Sequence, residues 1–182
     1  MQSFLENDNK ESKADYIING MFLNQNNNLL SLATNKGYKI FESFNLKQVS
    51  EDHEIIELIG DLKIAIPFYE SNLIYFVGSD LNQSFPSTQM VVWDDNKKKK
   101  LGIIILKDKI YALKIQKEAI YIQVFNKILI FDLINLSYLF TITDVNCLSS
   151  DHFVISSETN PIVLGYQPST KMNQIKFIKS IA

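Results

Sequence analysis

Short apolar segments separated by polar turns run through the chain from residue 16 onward. Within them, apolar residues either alternate with polar ones or are continuous over a few positions, which is typical of half-buried or fully buried strands. The pattern predicts strands over residues 17–23, 29–34, 37–43, 54–59, 62–68, 73–77, 90–93, 101–106, 110–115, 119–125, 127–133, 138–143, 153–156, 161–165 and 174–178. Many short strands at nearly regular spacing indicate an all-β sandwich, barrel or propeller.

Three of these strands end in the same triplet of an aliphatic, an aromatic and an acidic residue. The triplet appears as Ile40-Phe41-Glu42, Val92-Trp93-Asp94 and Ile130-Phe131-Asp132, with a weaker echo at Ile175-Lys176-Phe177. The aromatic residues of the three triplets are 52 and 38 residues apart, which fits the four-stranded blades of a WD-repeat β-propeller. The aliphatic and aromatic side chains would face opposite neighbouring blades, and the acid would end the strand at a turn. The alternative is three unrelated β-hairpins with similar endings.

The repeat predicts the domain organisation. We expect a disordered polar arm over residues 1–15 and a partial β-propeller over residues 16–182. Its blades would cover approximately residues 16–53, 54–100, 101–143 and 144–182. An incomplete ring leaves sheet faces and edges uncovered, so we expect the isolated chain to self-associate.

Composition supports β structure and narrows the chemistry. Ile, Phe, Tyr, Val, Thr and Trp together supply 60 of the 182 residues, and these types favour strands. The net charge of −2 argues against a strongly basic nucleic-acid binder. All 18 basic residues are lysine, so forked recognition of phosphate by arginine is absent from these residues. Cys147 is the single cysteine, which fits a reducing compartment.

Four segments, in chain order, carry patterns of one known family. The segment 22–41 resembles a first-blade pattern, F-N-Q-D followed by G-[YF]-[KR]-[IL]-[FY]. The segment 70–78 is similar to an S-N-L-L-A-L-V-G strand, and the segment 91–100 to an I-W-D-D-x-K-K-K stretch. Residues 120–131 resemble a later hairpin of the same pattern. Through these four segments the chain resembles the PROPPINs, a family of seven-bladed β-propellers that bind phosphoinositides and act in autophagy.

Two departures from the PROPPIN pattern are visible in the sequence. The acid of F-N-Q-D is replaced by Asn26. The family's lipid signature, [FL]-R-R-G in a later blade, has no counterpart in these residues. The resemblance therefore implies a phosphatidylinositol 3-phosphate site only in blades missing from this chain.

The resemblance implies an autophagy adaptor that is cytoplasmic and peripheral to preautophagosomal membranes. In the family, early blades present surfaces to protein partners, including a lipid-transfer protein of autophagy. By that resemblance, Asn24, Gln25 and Asn26 are the predicted partner-binding residues. The alternative function is a degenerate or truncated WD-repeat scaffold that binds a protein partner without lipid.

Other candidate sites have simpler explanations. The run Lys97, Lys98, Lys99 and Lys100 is a weak candidate for anionic lipid, because four lysines beside two aspartates also fit a solvated turn. Ser150, Asp151 and His152 are consecutive and cannot align as a catalytic triad. Two histidines, His53 and His152, and one cysteine make a metal site hard to build. We predict no enzyme activity, no catalytic residues, no metal and no cofactor.

Overall fold

The computed structural model describes residues 16–50, 59–146, 153–156, 162–171 and 174–179, and these residues form fifteen strands. The strands are β1 (Ile18–Leu23), β2 (Leu29–Thr34), β3 (Gly37–Glu42), β4 (Gln48–Ser50), β5 (Leu62–Pro67), β6 (Leu73–Gly78), β7 (Gln89–Asp94), β8 (Lys99–Ile105), β9 (Ala112–Ile115), β10 (Ala119–Val124), β11 (Lys127–Asp132), β12 (Tyr138–Thr143), β13 (Phe153–Ile155), β14 (Val163–Tyr166) and β15 (Lys176–Lys179).

Consecutive strands pair antiparallel into four sheets. The first three sheets have four strands each, in the orders β1-β2-β3-β4, β5-β6-β7-β8 and β9-β10-β11-β12. The fourth sheet has three described strands, in the order β13-β14-β15. Each sheet is one blade, and the predicted all-β propeller architecture is confirmed.

Three apolar cores lie between successive sheets and hold them together. Tyr38 and Ile40 of the first sheet pack against Ile74, Phe76 and Trp93 of the second. A second core joins the second sheet to the third, and a third core joins the third sheet to the fourth. Burial of one large aliphatic side chain contributes roughly 1.5–3 kcal/mol, so these cores are the main source of stability between blades.

The repeated triplets lie where the sequence predicts them, at the end of the third strand of each of the first three sheets. Val92 belongs to the core shared with the third sheet, whereas Trp93 belongs to the core shared with the first. Ile130 and Phe131 likewise face different cores. The aliphatic and aromatic positions therefore serve opposite blade interfaces, as predicted. The weaker echo lies at β15, the third strand of its sheet, where Phe177 is exposed.

The hairpin after each triplet has the same backbone conformation in the first three sheets. A residue in the left-handed region follows the aromatic residue by five positions: Leu46 (φ 57°), Lys98 (φ 49°) and Leu136 (φ 58°). An extra residue then bulges the fourth strand: Val49, Leu101 and Leu139. Each bulged residue is about half exposed. Because a bulge redirects side chains, this repeat exposes one apolar side chain on the fourth strand of each of these three blades.

Several predicted boundaries differ from the structure. Strand β4 was not predicted, because its three residues include only one apolar side chain. Strand β8 pairs with β7 in the second sheet, so the predicted boundary after residue 100 falls inside this strand. The tight turn between β10 and β11 consists of residues 125 and 126, so the strand predicted over 119–125 ends one residue earlier than predicted. The strand predicted over 54–59 lies almost wholly outside the described residues.

Candidate protein-binding groove

The turn over residues 24–28 joins β1 to β2 and is fastened to the second sheet. The Asn24 side-chain amide donates a hydrogen bond to the carbonyl oxygen of Tyr69 at 2.9 Å. Its side-chain oxygen accepts from the backbone N–H of Leu29 at 3.0 Å. Asn24 is only 3% exposed, so its side chain is buried and holds the turn in place. The sequence predicts it instead as a residue that contacts a partner.

Gln25 holds the same neighbouring turn from a second direction. Its side-chain oxygen accepts from the backbone N–H of Tyr69 at 2.6 Å. Tyr69 has a φ of 48°, in the left-handed region that costs a non-glycine residue about 1 kcal/mol or more. The two hydrogen bonds from the first sheet to the Tyr69 backbone support this conformation. Asn24 and Gln25 therefore fix the turn between β5 and β6.

Asn26 and Asn28 extend these contacts to the side chain of Glu70. Their side-chain amides both donate to Glu70 Oε1, at 3.2 Å from Asn26 and 2.6 Å from Asn28. Asn26, Asn28 and Glu70 are all exposed. The Asn-rich turn thus places one carboxylate at the boundary between the first two sheets.

A groove of about 580 Å³ opens beside Glu70, between the first and second sheets. We call it the first groove. Its near wall comes from the first sheet and its far wall from the second. Phe44 is 82% exposed and Val49 56% exposed, so the near wall offers apolar surface to a ligand. The lining residues are Asn28, Leu29, Ile40, Glu42, Phe44, Val49, Pro67, Glu70, Ser71, Asn72, Ile74, Asp95 and Asn96.

Three carboxylates line the first groove, and they differ in their partners. Asp95 Oδ1 accepts from the Tyr38 hydroxyl at 2.5 Å and pairs with Lys98 Nζ at 2.9 Å. Glu42 accepts from the side-chain amide of Asn45 at 2.6 Å. Glu42 and Glu70 therefore receive neutral donors, while a lysine balances the charge of Asp95. The groove carries excess negative charge.

A second groove, of about 300 Å³, occupies the equivalent position between the second and third sheets. Its walls are apolar where the first groove is acidic: Leu133 and Ile134 stand at the positions that Asp95 and Asn96 occupy one blade earlier. The bulged Leu101 lines it as Val49 lines the first groove. The two grooves share a backbone frame and differ in chemistry.

The lysine run lies on the turn between β7 and β8 and enters β8. Lys97 pairs with Asp94 at 3.6 Å and Lys98 with Asp95 at 2.9 Å. Burial acts to raise the pKa of Asp94, but hydrogen bonds from the Lys97 backbone and the Asn72 side chain, with the Lys97 charge, lower it overall. Lys99 and Lys100 are exposed. Acidic neighbours thus offset half of the run, which matches a solvated turn.

The remaining sequence candidates lie elsewhere. His53, Cys147, Ser150, Asp151 and His152 fall outside the described residues. The described ranges contain no cluster of three or more His, Cys, Asp or Glu side chains that could hold a metal ion. Nor do they contain a helix that is both long and apolar enough to span a bilayer.

Glu70 is the functional candidate that sequence reasoning missed as a site residue. It starts the segment that resembles a PROPPIN strand, but its partners are 42 and 44 residues away in the chain. One feature of the sequence could have indicated Glu70. The chain has Asn26 where the PROPPIN pattern has an acid, and it has an acid at position 70.

Comparison with known proteins shows which proteins this chain is similar to. No family model matches the chain. SVP1-like protein 2 of Schizosaccharomyces pombe is 33% identical over 82 residues, which are 45% of this chain and 22% of that protein. Autophagy-related protein 18 of Kluyveromyces lactis is 24% identical over 161 residues, which are 88% of this chain and 31% of that protein. Autophagy-related protein 18e of Arabidopsis thaliana is 27% identical over 69% of this chain and 33% of its own length.

Solved structures show the same fold. Hsv2 of Kluyveromyces marxianus superposes with a TM-score of 0.73 at 18% identity, over 91% of this chain and 49% of that one. The resemblance to the PROPPINs is confirmed. This PROPPIN-like chain spans a third or less of the length of these three curated relatives, and about half of the solved Hsv2 chain. Autophagy-related proteins 18 and 18e are named as autophagy proteins, and neither name is that of an enzyme.

A further solved neighbour is Atg21 in a complex with the coiled coil of Atg16. It superposes with a TM-score of 0.63 at 13% identity, over 89% of this chain and 51% of that one. That protein, with the same propeller fold, was thus solved bound to a protein partner.

Proposed function

We propose that this PROPPIN-like chain is an autophagy scaffold whose first groove holds a segment of a protein partner. The observation that carries the proposal is the groove itself, about 580 Å³ in volume and walled by two blades. Its apolar near wall and unbalanced carboxylates suit a segment that carries both apolar and basic side chains. The similarity to autophagy-related protein 18 supports the cellular process.

The partner we propose is another protein of the autophagy machinery. The resemblance to the PROPPINs implies a lipid-transfer protein, and the Atg21 complex supports a protein ligand on a propeller of this kind. Asn26 is the member of the predicted Asn24–Asn26 set that is exposed beside the groove. Asn24 and Gln25 contribute by positioning the turn that forms the far wall.

We place phosphoinositide binding, and with it attachment to autophagic membranes, in the part of a PROPPIN ring that lies beyond the matched segment. The arginine signature has no counterpart in these 182 residues, and half of the lysine run is paired with aspartate. The same observations favour the alternative of a scaffold that binds protein and no lipid.

Selection of a phage-displayed library of random dodecapeptides on the immobilised chain tests the groove. We expect Val49→Lys to weaken capture of the selected peptides at least about tenfold, because it removes exposed apolar surface from the near wall. Leu101→Lys is the matched control, since Leu101 is the equivalent bulged residue of the next blade. Equal capture by the wild-type and Val49→Lys chains would refute the proposed groove.

A further inference from the structure

We propose that Glu70 makes the first groove selective for a lysine or arginine side chain of the bound segment. The inference rests on the proposed function, since it names the chemistry that the groove recognises. It assigns the specificity-determining contact to a residue of the second sheet, and it assigns the neighbouring amides of Asn26 and Asn28 the role of positioning it.

The contacts of Glu70 leave it ready for a cationic ligand. Both amide donors bind the same oxygen, Oε1, which leaves Oε2 for a further donor. Both donors are neutral, and none of the ion pairs between described residues involves Glu70. The side chain is exposed and lines the groove. A carboxylate that is fixed in direction and not neutralised by its own protein favours a cation from a partner.

The amide at position 26 is matched to the acid at position 70. The pattern that the first blade resembles, F-N-Q-D, has an aspartate where this chain has Asn26. An aspartate there would place a second carboxylate about 3 Å from Glu70 Oε1, and two like charges at that distance repel each other. Asn26 instead donates a hydrogen bond. An amide at position 26 is therefore compatible with the carboxylate opposite it, whereas an aspartate is not.

The walls near Glu70 suit the rest of a basic side chain. Phe44 and Val49 offer exposed apolar surface on the opposite wall of the same groove. Lysine and arginine have long apolar stems that pack on such surface while the charged end stays near water. Glu42 adds a second carboxylate that has a neutral amide donor. The second groove lacks such acids, so the selectivity belongs to the first groove alone.

The experiment uses the peptides selected from the dodecapeptide library on the 182-residue chain. Some of these peptides should bind the Val49→Lys variant more weakly than the wild-type chain. In that group we expect lysine or arginine to be enriched at one position. Glu70→Gln should weaken their binding about tenfold, because it removes the charge and keeps the shape and the amide hydrogen bonds. Added sodium chloride should weaken peptide binding to the wild-type chain, and Glu70→Gln should make binding much less sensitive to the salt.

Two further variants sharpen the test. Glu118→Gln is the matched control, because Glu118 is an exposed acid on the turn between β9 and β10, away from the groove. The variant Glu70→Lys reverses the charge at this position of the groove. We expect that variant to select peptides that carry acidic residues instead of basic ones.

The outcomes separate this inference from the proposed function. Two results would overturn the selectivity while supporting the groove as a binding site. Peptides that depend on Val49 could show no enriched basic residue, or they could bind Glu70→Gln as well as the wild-type chain. Peptides that Val49→Lys does not affect would instead refute the groove. An unchanged thermal midpoint of Glu70→Gln confirms that a loss of binding is not a loss of fold.

Discussion

At the scale of single residues, glycine shows how closely the blade is packed. A Cβ atom on Gly78, the last residue of β6, would lie 1.5 Å from the carbonyl oxygen of Phe85. A Cβ atom on Gly102 would lie 2.6 Å from a terminal methyl group of Leu136. The first obstacle is backbone and the second is the flexible end of a side chain, so the two positions should respond differently to the same substitution.

We expect Gly78→Ala to lower the free energy of unfolding by roughly 3 kcal/mol, since the loop that contains Phe85 must move away. Gly102→Ala should cost roughly 1 kcal/mol or less, because Leu136 can change its rotamer. Urea denaturation followed by circular dichroism gives both values. Equal losses for the two variants would contradict this account of the packing.

Residue-level patterns also mark the limit of sequence reasoning. The alternation of side chains predicted the strands and the opposite-facing Val92 and Trp93, because both follow from local geometry. The roles of Asn24 and Gln25 depend on Tyr69, which is more than 40 residues away. No local pattern carries that information, so the sequence singled out the Asn-rich turn as a candidate but indicated neither its attachment nor Glu70.

At the scale of elements, Asp144 fastens the third sheet to the fourth. It follows β12 and accepts hydrogen bonds from the hydroxyls of Ser169, at 2.5 Å, and Thr170, at 2.9 Å, on the turn between β14 and β15. Lys176 of β15 lies 3.5 Å from the same carboxylate. The hydrogen bonds from Ser169 and Thr170, with the Lys176 charge, outweigh burial and lower the pKa of Asp144 to about 2.

This pKa predicts a pH dependence of stability. The unfolded chain binds the proton with a pKa near 3.8, so the contribution of Asp144 is fully present above that value and is lost as the pH falls towards about 2. We expect Asp144→Asn to reduce the fall in the thermal midpoint between about pH 5 and about pH 2.5. Asp108→Asn, at an exposed loop position, is the control. Identical pH profiles for wild type and Asp144→Asn would rule out this role.

At the scale of the whole molecule, the first and last sheets each have one face without a neighbour among the described residues. Met21 and Leu23 lie on that face of the first sheet and are 68% and 52% exposed. Val154 and Phe177 lie on that face of the fourth and are 62% and 69% exposed. Inside the chain, faces of the same kind form the three apolar cores. The terminal faces are therefore chemically equivalent to blade interfaces.

We expect the isolated 182-residue chain to self-associate through these faces, since exposed apolar patches of this kind drive association. Sedimentation velocity should show oligomers that the double variant Met21→Lys, Phe177→Lys shifts towards monomer. Leu81→Lys, at a loop position that is 82% exposed, should have no such effect. A monodisperse wild-type monomer would show that the faces are covered in another way.

The repeated hairpin after each triplet separates the framework of a blade from what the blade displays. Its shape depends on the strand-ending acid, the left-handed residue and the bulge, which recur with the same spacing in three sheets. The two residues after the acid are Ser43 and Phe44, Asp95 and Asn96, or Leu133 and Ile134. These pairs can diversify without disturbing the hairpin, as hypervariable loops do on an antibody domain. A ring built on this template can acquire a new binding preference one blade at a time while its neighbours keep theirs.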